Sequence, residues 1–179
     1  MNPVVLYYSR SGNTAKLAKR IQTAFHCDTI RIEPEEAYGN YIIACLRVMQ
    51  DSVTKQTPAF LTPIPDLKLY DPIFIGYPVW AQDVPAFVAA FLQQCNLKGK
   101  TVIPFATYGM TGIQWTMKTL EKVCCGAQIR LPFDQGLLKK GNFSRWEANV
   151  KVWIDSEQKR DVKSRSLQTG TAGKTSDPV

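Results

Sequence analysis

Val4-Val5-Leu6-Tyr7-Tyr8, running straight into Ser9-Arg10-Ser11-Gly12-Asn13-Thr14, is the stretch on which the fold turns. Its first five residues form an apolar run suited to a strand covered on both faces. After the loop, Ala15, Leu17, Ala18, Ile21, Ala24 and Phe25 form an apolar stripe at helical spacing. The loop therefore leads into a helix start, whose first backbone N–H groups have no intrahelical partner. Together with the positive end of the helix dipole, those donors make an anion site. Ser9, Ser11 and Thr14 add hydroxyls, Gly12 lets the backbone close on a phosphate, and Asn13 tolerates unusual dihedrals. Read alone, the same loop equally suits a capped helix with nothing bound.

The alternation of strand and helix continues outward from there, the signature of a parallel α/β sheet. Residues 29–32 read as a second strand, stopped by Glu33-Pro34. A helix follows around 41–53, with Ile42, Ile43, Cys45, Leu46 and Met49 on its buried face. A connector with prolines at 58, 63 and 65 leads to the apolar strand 73–77, which ends at Pro78. Pro85 suits the first turn of a helix through Phe87, Val88, Phe91 and Leu92. Gly99 precedes a strand at 101–106, rich in Val, Ile and Phe. A helix at 113–123 and a strand at 128–133 come next. Ser144-Arg145-Trp146-Glu147 has the spacing of a capping box and opens a last helix expected to run to about residue 157.

A chain of 179 residues, 45% hydrophobic and 21% charged, suits one globular domain with a sizeable core. No apolar run approaches the roughly 20 residues of a membrane span, and the start lacks a basic leader region; the expected location is cytoplasmic. The five cysteines, Cys27, Cys45, Cys95, Cys124 and Cys125, are odd in number and without CxxC spacing. Neither a disulfide framework nor a zinc site fits them, which leaves free thiols. His26, the only histidine, falls at a helix end, so mechanisms that need a histidine base are poorly served.

The formal charge is +7, of which the segment from residue 158 carries +3: five basic residues against Asp161 and Asp177. No aromatic–basic interleaving or nucleic-acid motif accompanies that charge. The segment 158–179, short of large apolar residues, is expected to be a disordered basic tail beyond a domain spanning 1–157. Gly170-Thr171-Ala172-Gly173-Lys174-Thr175 superficially suggests a nucleotide-binding loop. A Walker loop needs a glycine where Gln168 stands, with a strand before and a helix after.

Several spaced motifs resemble those of the flavodoxin family. Ser9 to Thr14 resembles its phosphate loop, Ser/Thr-x-Ser/Thr-Gly-x-Thr, in sequence and position. Glu33-Pro34 with Tyr38, Tyr70-Asp71, and Gly76-Tyr77-Pro78-Val79-Trp80 resemble successive landmarks of one subfamily. Pro104-Phe105-Ala106-Thr107-Tyr108-Gly109 is similar to its next loop, and Trp153 stands where the last helix usually carries a tryptophan. The resemblance covers about residues 3–157 and implies a three-layer sandwich around a five-stranded parallel sheet in the order 2-1-3-4-5. It further implies non-covalent FMN at the carboxyl ends of the strands. The binding residues it implies are Ser9, Arg10, Ser11, Gly12, Asn13 and Thr14 for the phosphate. Pro78, Val79, Trp80, Ala81, Thr107, Tyr108 and Gly109 would lie around the ring. Trp80 is the expected stacking residue, although a tryptophan there also suits packing over a loop. Tyr108 is the alternative, standing where the subfamily often has a histidine. Two departures are Trp80-Ala81-Gln82 in place of the usual Trp-Trp-Gly, and Thr111-Gly112 in place of a glycine-rich run.

Three functions are compatible with that resemblance. One is an electron-transfer flavoprotein working between protein partners; another is an FMN-dependent oxidoreductase using NAD(P)H or a quinone-like acceptor. The third, a flavin-free interaction module, is opposed by the intact phosphate loop. The sequence has no GxGxxG fingerprint, so direct NAD(P)H use would require stacking over bound FMN. Electron-carrier flavodoxins are strongly acidic as a group and this chain is not, which weakens the match to their usual basic partners.

Overall fold

A computed structural model of the chain describes residues 1–35 and 59–170. The helix expected around 41–53, Cys45 and Tyr38 lie outside the described residues. Residues 2–142 form one compact unit, and the last helix belongs to a second.

The first unit is a parallel sheet flanked by helices. Its strands are β1 (Val4–Tyr7), β2 (Asp28–Arg31), β3 (Ile73–Pro78), β4 (Thr101–Tyr108), β5 (Gln128–Ile129) and β6 (Phe133–Gly136). Neighbours run β2-β1-β3-β4-β5, with β6 also beside β4, and every pairing is parallel. This is the expected 2-1-3-4-5 order. The central strands are buried except at their carboxyl ends, in keeping with their apolar sequence, whereas edge strand β2 is largely exposed.

The fifth position departs from the single strand expected at 128–133. Thr101 and Val102 pair with Gln128 and Ile129, a difference of 27 in residue number, while Phe105 pairs with Phe133, a difference of 28. One residue is therefore inserted between the two segments, a bulge at which Leu131 takes a φ of 46° ahead of Pro132. Pro132 lacks the N–H that would continue the ladder.

Helix α1 (Asn13–Phe25) follows β1 and ends at His26, whose left-handed φ of 49° and N–H bond to the Gln22 carbonyl close it. Helix α2 (Ala86–Gln94) begins directly after Pro85 and buries Phe87, Val88, Phe91 and Leu92. The helix expected at 113–123 opens as a 3-10 turn, Ile113–Thr116, and becomes α3 (Met117–Val123). Tyr77 in β3 and Thr116 join hydroxyls at 2.7 Å inside this core, and Thr116 donates to the Ile113 carbonyl. Since the threonine proton is used there, the Tyr77 hydroxyl is the donor of the pair.

In the second unit, α4 (Phe143–Gly170) starts one residue before the expected capping box. Glu147 pairs with Lys151, one turn on, at 2.6 Å. Phe143, Trp146 and Val150 are buried at helical spacing. The helix does not stop near residue 157 but runs on to Gly170, so the expectation of a tail without structure is corrected for 158–170. That extension contains no proline, and Arg160 pairs with Glu157 at 2.7 Å across its start.

Candidate cofactor site

Four chain segments leave the carboxyl edge of the sheet together. The β1 loop turns into α1 at Gly12, whose φ of 86° is left-handed and suits glycine. Lys16 N–H reaches the Gly12 carbonyl, so the N–H groups of Asn13, Thr14 and Ala15 lie ahead of the helical ladder. The ends of β3, β4 and β6 lie alongside. Thr107 binds them: its hydroxyl meets that of Thr14 at 2.8 Å, and its carbonyl accepts the Val79 N–H at 2.8 Å. The neighbouring Tyr108 carbonyl accepts the Leu137 N–H at 3.0 Å.

These segments enclose a cleft of about 380 Å³. The expected residues Arg10, Ser11, Asn13, Pro78, Val79, Trp80, Thr107, Tyr108 and Gly109 line it. Ser9, Gly12, Thr14 and Ala81 do not. Ser9 and Thr14 are buried, 3% and 1% exposed. The Ser9 carbonyl accepts a bond from Arg31 at 3.4 Å, yet its Oγ is buried with no hydrogen-bond partner. Gly12 shapes the turn, and Ala81 is exposed beyond the rim.

The two aromatic side chains considered for stacking are held differently. Trp80 borders the cleft but is only 2% exposed, with its ring edge-on to Tyr8 at 5.5 Å. A ring packed in the core has no open face for a ligand. Tyr108, half-buried, lies with its ring against the bare backbone of Gly136, where a Cβ would sit 2.5 Å from Cε2. Burial, followed by the charge of Asp134, raises the Tyr108 phenol pKa and keeps it protonated. Burial likewise pushes Tyr8 beneath the loop up to about 12, partly countered by Arg10.

The sequence reading missed Lys16, Leu17 and Arg20 on α1, and Gln135, Gly136, Leu137 and Lys140 around β6. The α1 set was within reach of periodicity, since residues 13, 16, 17 and 20 share one helix face. The β6 set depends on the bulge, which no motif announced. Of the residues lining the cleft, Arg10, Lys16, Arg20 and Lys140 are basic and none is acidic. Among the described residues no group of His, Cys, Asp and Glu is placed to hold a metal ion, and no helix is long and apolar enough to cross a membrane. Cys27, Cys95, Cys124 and Cys125 are free thiols, as expected of them.

A parallel sheet in this order, with a cleft at the switch point between β1 and β3, defines the flavodoxin-like class of α/β folds. The flavodoxin family profile matches residues 2–157, and the chain belongs to that family. A Bacteroides uniformis ATCC 8492 protein assigned as a flavoprotein is 28% identical, with a TM-score of 0.68 over 86% of this chain and 97% of the other. A flavoprotein from Lactobacillus acidophilus NCFM, solved in complex with FMN, is 22% identical, with a TM-score of 0.61 over 74% and 91%. A flavodoxin from the domain Archaea is 19% identical, with a TM-score of 0.52 over 89% and 98%. No curated protein matches the chain at a significant level.

Proposed function

We propose that this chain binds FMN non-covalently and uses it to pass electrons to a protein partner, working in the cytoplasm as a domain of residues 1–157. Ser9 carries the reading. Buried hydroxyls nearly always find a partner, and the Ser9 Oγ lacks one just after β1, in the loop that leads into α1. An anionic phosphate at that point would accept from it and from the helix N–H groups together. The cleft volume, about 380 Å³, falls in the range of small-molecule sites, roughly 300–1,000 Å³. These features fit FMN.

FMN supplies the redox chemistry when bound. The residues of the chain bind and orient it. Ser9, Ser11 and the N–H groups of residues 13–15 would hold the phosphate, with Arg10 adding charge. Tyr108 offers a flat face, while Pro78, Val79 and Leu17 exclude water. A small quinone-like acceptor, or direct NAD(P)H use, would make the chain an oxidoreductase instead.

Ser9→Ala tests the carrying observation. It removes a hydroxyl with no partner in the protein alone, so the melting temperature without flavin stays level or rises. FMN binding, read by quenching of flavin fluorescence, weakens about tenfold, the loss of one charge-assisted bond of about 1.5–3 kcal/mol. Unchanged affinity would remove the phosphate from Ser9. Anaerobic mixing of the loaded protein with NADH, NADPH and a quinone separates carrier from enzyme: rapid bleaching by a nicotinamide defines the enzyme.

A further inference from the structure

We infer that the mouth of the cleft is a docking surface for an acidic protein, the electron-transfer partner of the proposed function, on which this inference rests. The cleft lining carries four positive side chains and no negative one. An FMN phosphate brings a charge of about −2 and takes up part of that charge, and the lining contains no acidic side chain to take up more. The excess is focused at a concave site rather than spread over the surface.

Apolar side chains stand exposed on the two segments that follow β4 and β6, whose Gly109, Leu137 and Lys140 line the cleft. Met110, in the loop after β4, is 95% exposed, and Trp115, in the 3-10 turn that follows, is 58% exposed. Leu137 and Leu138, directly after β6, are 77% and 92% exposed. The two loops emerge side by side because Tyr108 pairs with Gly136 at the strand ends. Asp134 in β6 accepts the Ile113 N–H at 3.2 Å and ties the first loop back to the second. A neighbouring set of exposed large apolar side chains marks an interaction surface, and an apolar centre with a charged rim is the anatomy of a protein interface. The sign of that rim selects an acidic partner. An anionic lipid surface fits less well. Membrane recognition places its clusters of about 4–8 basic residues beside a membrane-spanning helix or along an amphipathic one, whereas Arg10, Lys16, Arg20 and Lys140 line a concave cleft.

The test uses the FMN-loaded full chain, an acidic b-type cytochrome and a basic c-type cytochrome as probes. Isothermal titration at low salt should show the acidic probe binding more tightly than the basic one, with affinity falling as salt is raised. Leu138 and Lys139 lie outside the cleft lining, so the double variant Leu138→Ser, Lys139→Glu keeps its FMN affinity. That variant should bind the acidic probe about tenfold or more weakly, as expected for an interface centre. Lys122→Glu makes the same change in net charge at the far end of α3 and should lose less than about twofold, as a remote charge does. Equal losses in the two variants, no preference for the acidic probe, or binding to phosphatidylglycerol vesicles in place of it would each overturn the docking surface. Failure to bind FMN would instead sink the proposed function. It is read separately by flavin fluorescence, and the cytochrome titrations of the unloaded chain still decide the surface.

Discussion

Thr107 joins the β1, β3 and β4 ends of the site through one hydroxyl and one carbonyl. Thr107→Val keeps its shape but leaves the Thr14 hydroxyl, 1% exposed, without its partner. Urea denaturation should register a loss of about 1–3 kcal/mol, the cost of one orphaned buried group; an unchanged midpoint would mean that Thr14 finds another acceptor. The turn from β1 into α1 was legible in the sequence because it is written in a backbone-dictating residue, Gly12 with its left-handed φ. The aromatic wall was not. Tryptophan and tyrosine both suit a flavin face by composition, and only packing reveals that Trp80 is held edge-on by Tyr8 while Tyr108 rests on Gly136.

Elements tell the same story with different physics. Strands β1, β3 and β4 were legible as continuous apolar runs, since burial on both faces leaves no room for polar residues. The fifth position was not, because a one-residue bulge alters register without altering composition. The Ala81-Gln82 departure has a structural outcome: both residues take left-handed φ angles, 47° and 66°, without a glycine. Helix α4 outran its expected end because residues 158–170 have helix-forming side chains but no apolar stripe, a pattern also typical of unstructured tails. From Gln158 to Ser164 every described side chain is exposed. Ending the chain at residue 158 should therefore leave the melting temperature and FMN affinity unchanged, whereas a large drop in melting temperature would show that the extension is bound to the rest of the protein.

At the scale of the whole molecule, buried thiols set an alkaline limit. Burial pushes Cys27 up to about 11 and Cys95 and Cys124 up to about 12, against an ordinary value of 9.0. The folded state favours the protonated thiols, so their contribution is complete below pH 9. It is lost as pH rises, because the unfolded chain ionises first. Denaturant midpoints should thus decline between about pH 9 and 12 as these thiols titrate. Replacing Cys95 and Cys124 together by alanine should flatten that decline; an unaltered slope would assign it to other groups. The uneven charge, by contrast, was legible only as a total. The sequence places +7 on the chain, but it takes the fold to bring Arg10, Lys16, Arg20 and Lys140 to one cleft.

The central claim is that the start of α1 holds the phosphate of a flavin mononucleotide, and paired titrations of the flavin-free protein with FMN and riboflavin test it most directly. The two ligands share the ring system and differ by the phosphate alone. If the phosphate is held by the Ser9 hydroxyl and the N–H groups opening α1, FMN binds at least about tenfold more tightly, since charge-assisted bonds contribute about 1.5–3 kcal/mol each and 1.4 kcal/mol is a factor of ten. Equal affinities for the two flavins would contradict the account.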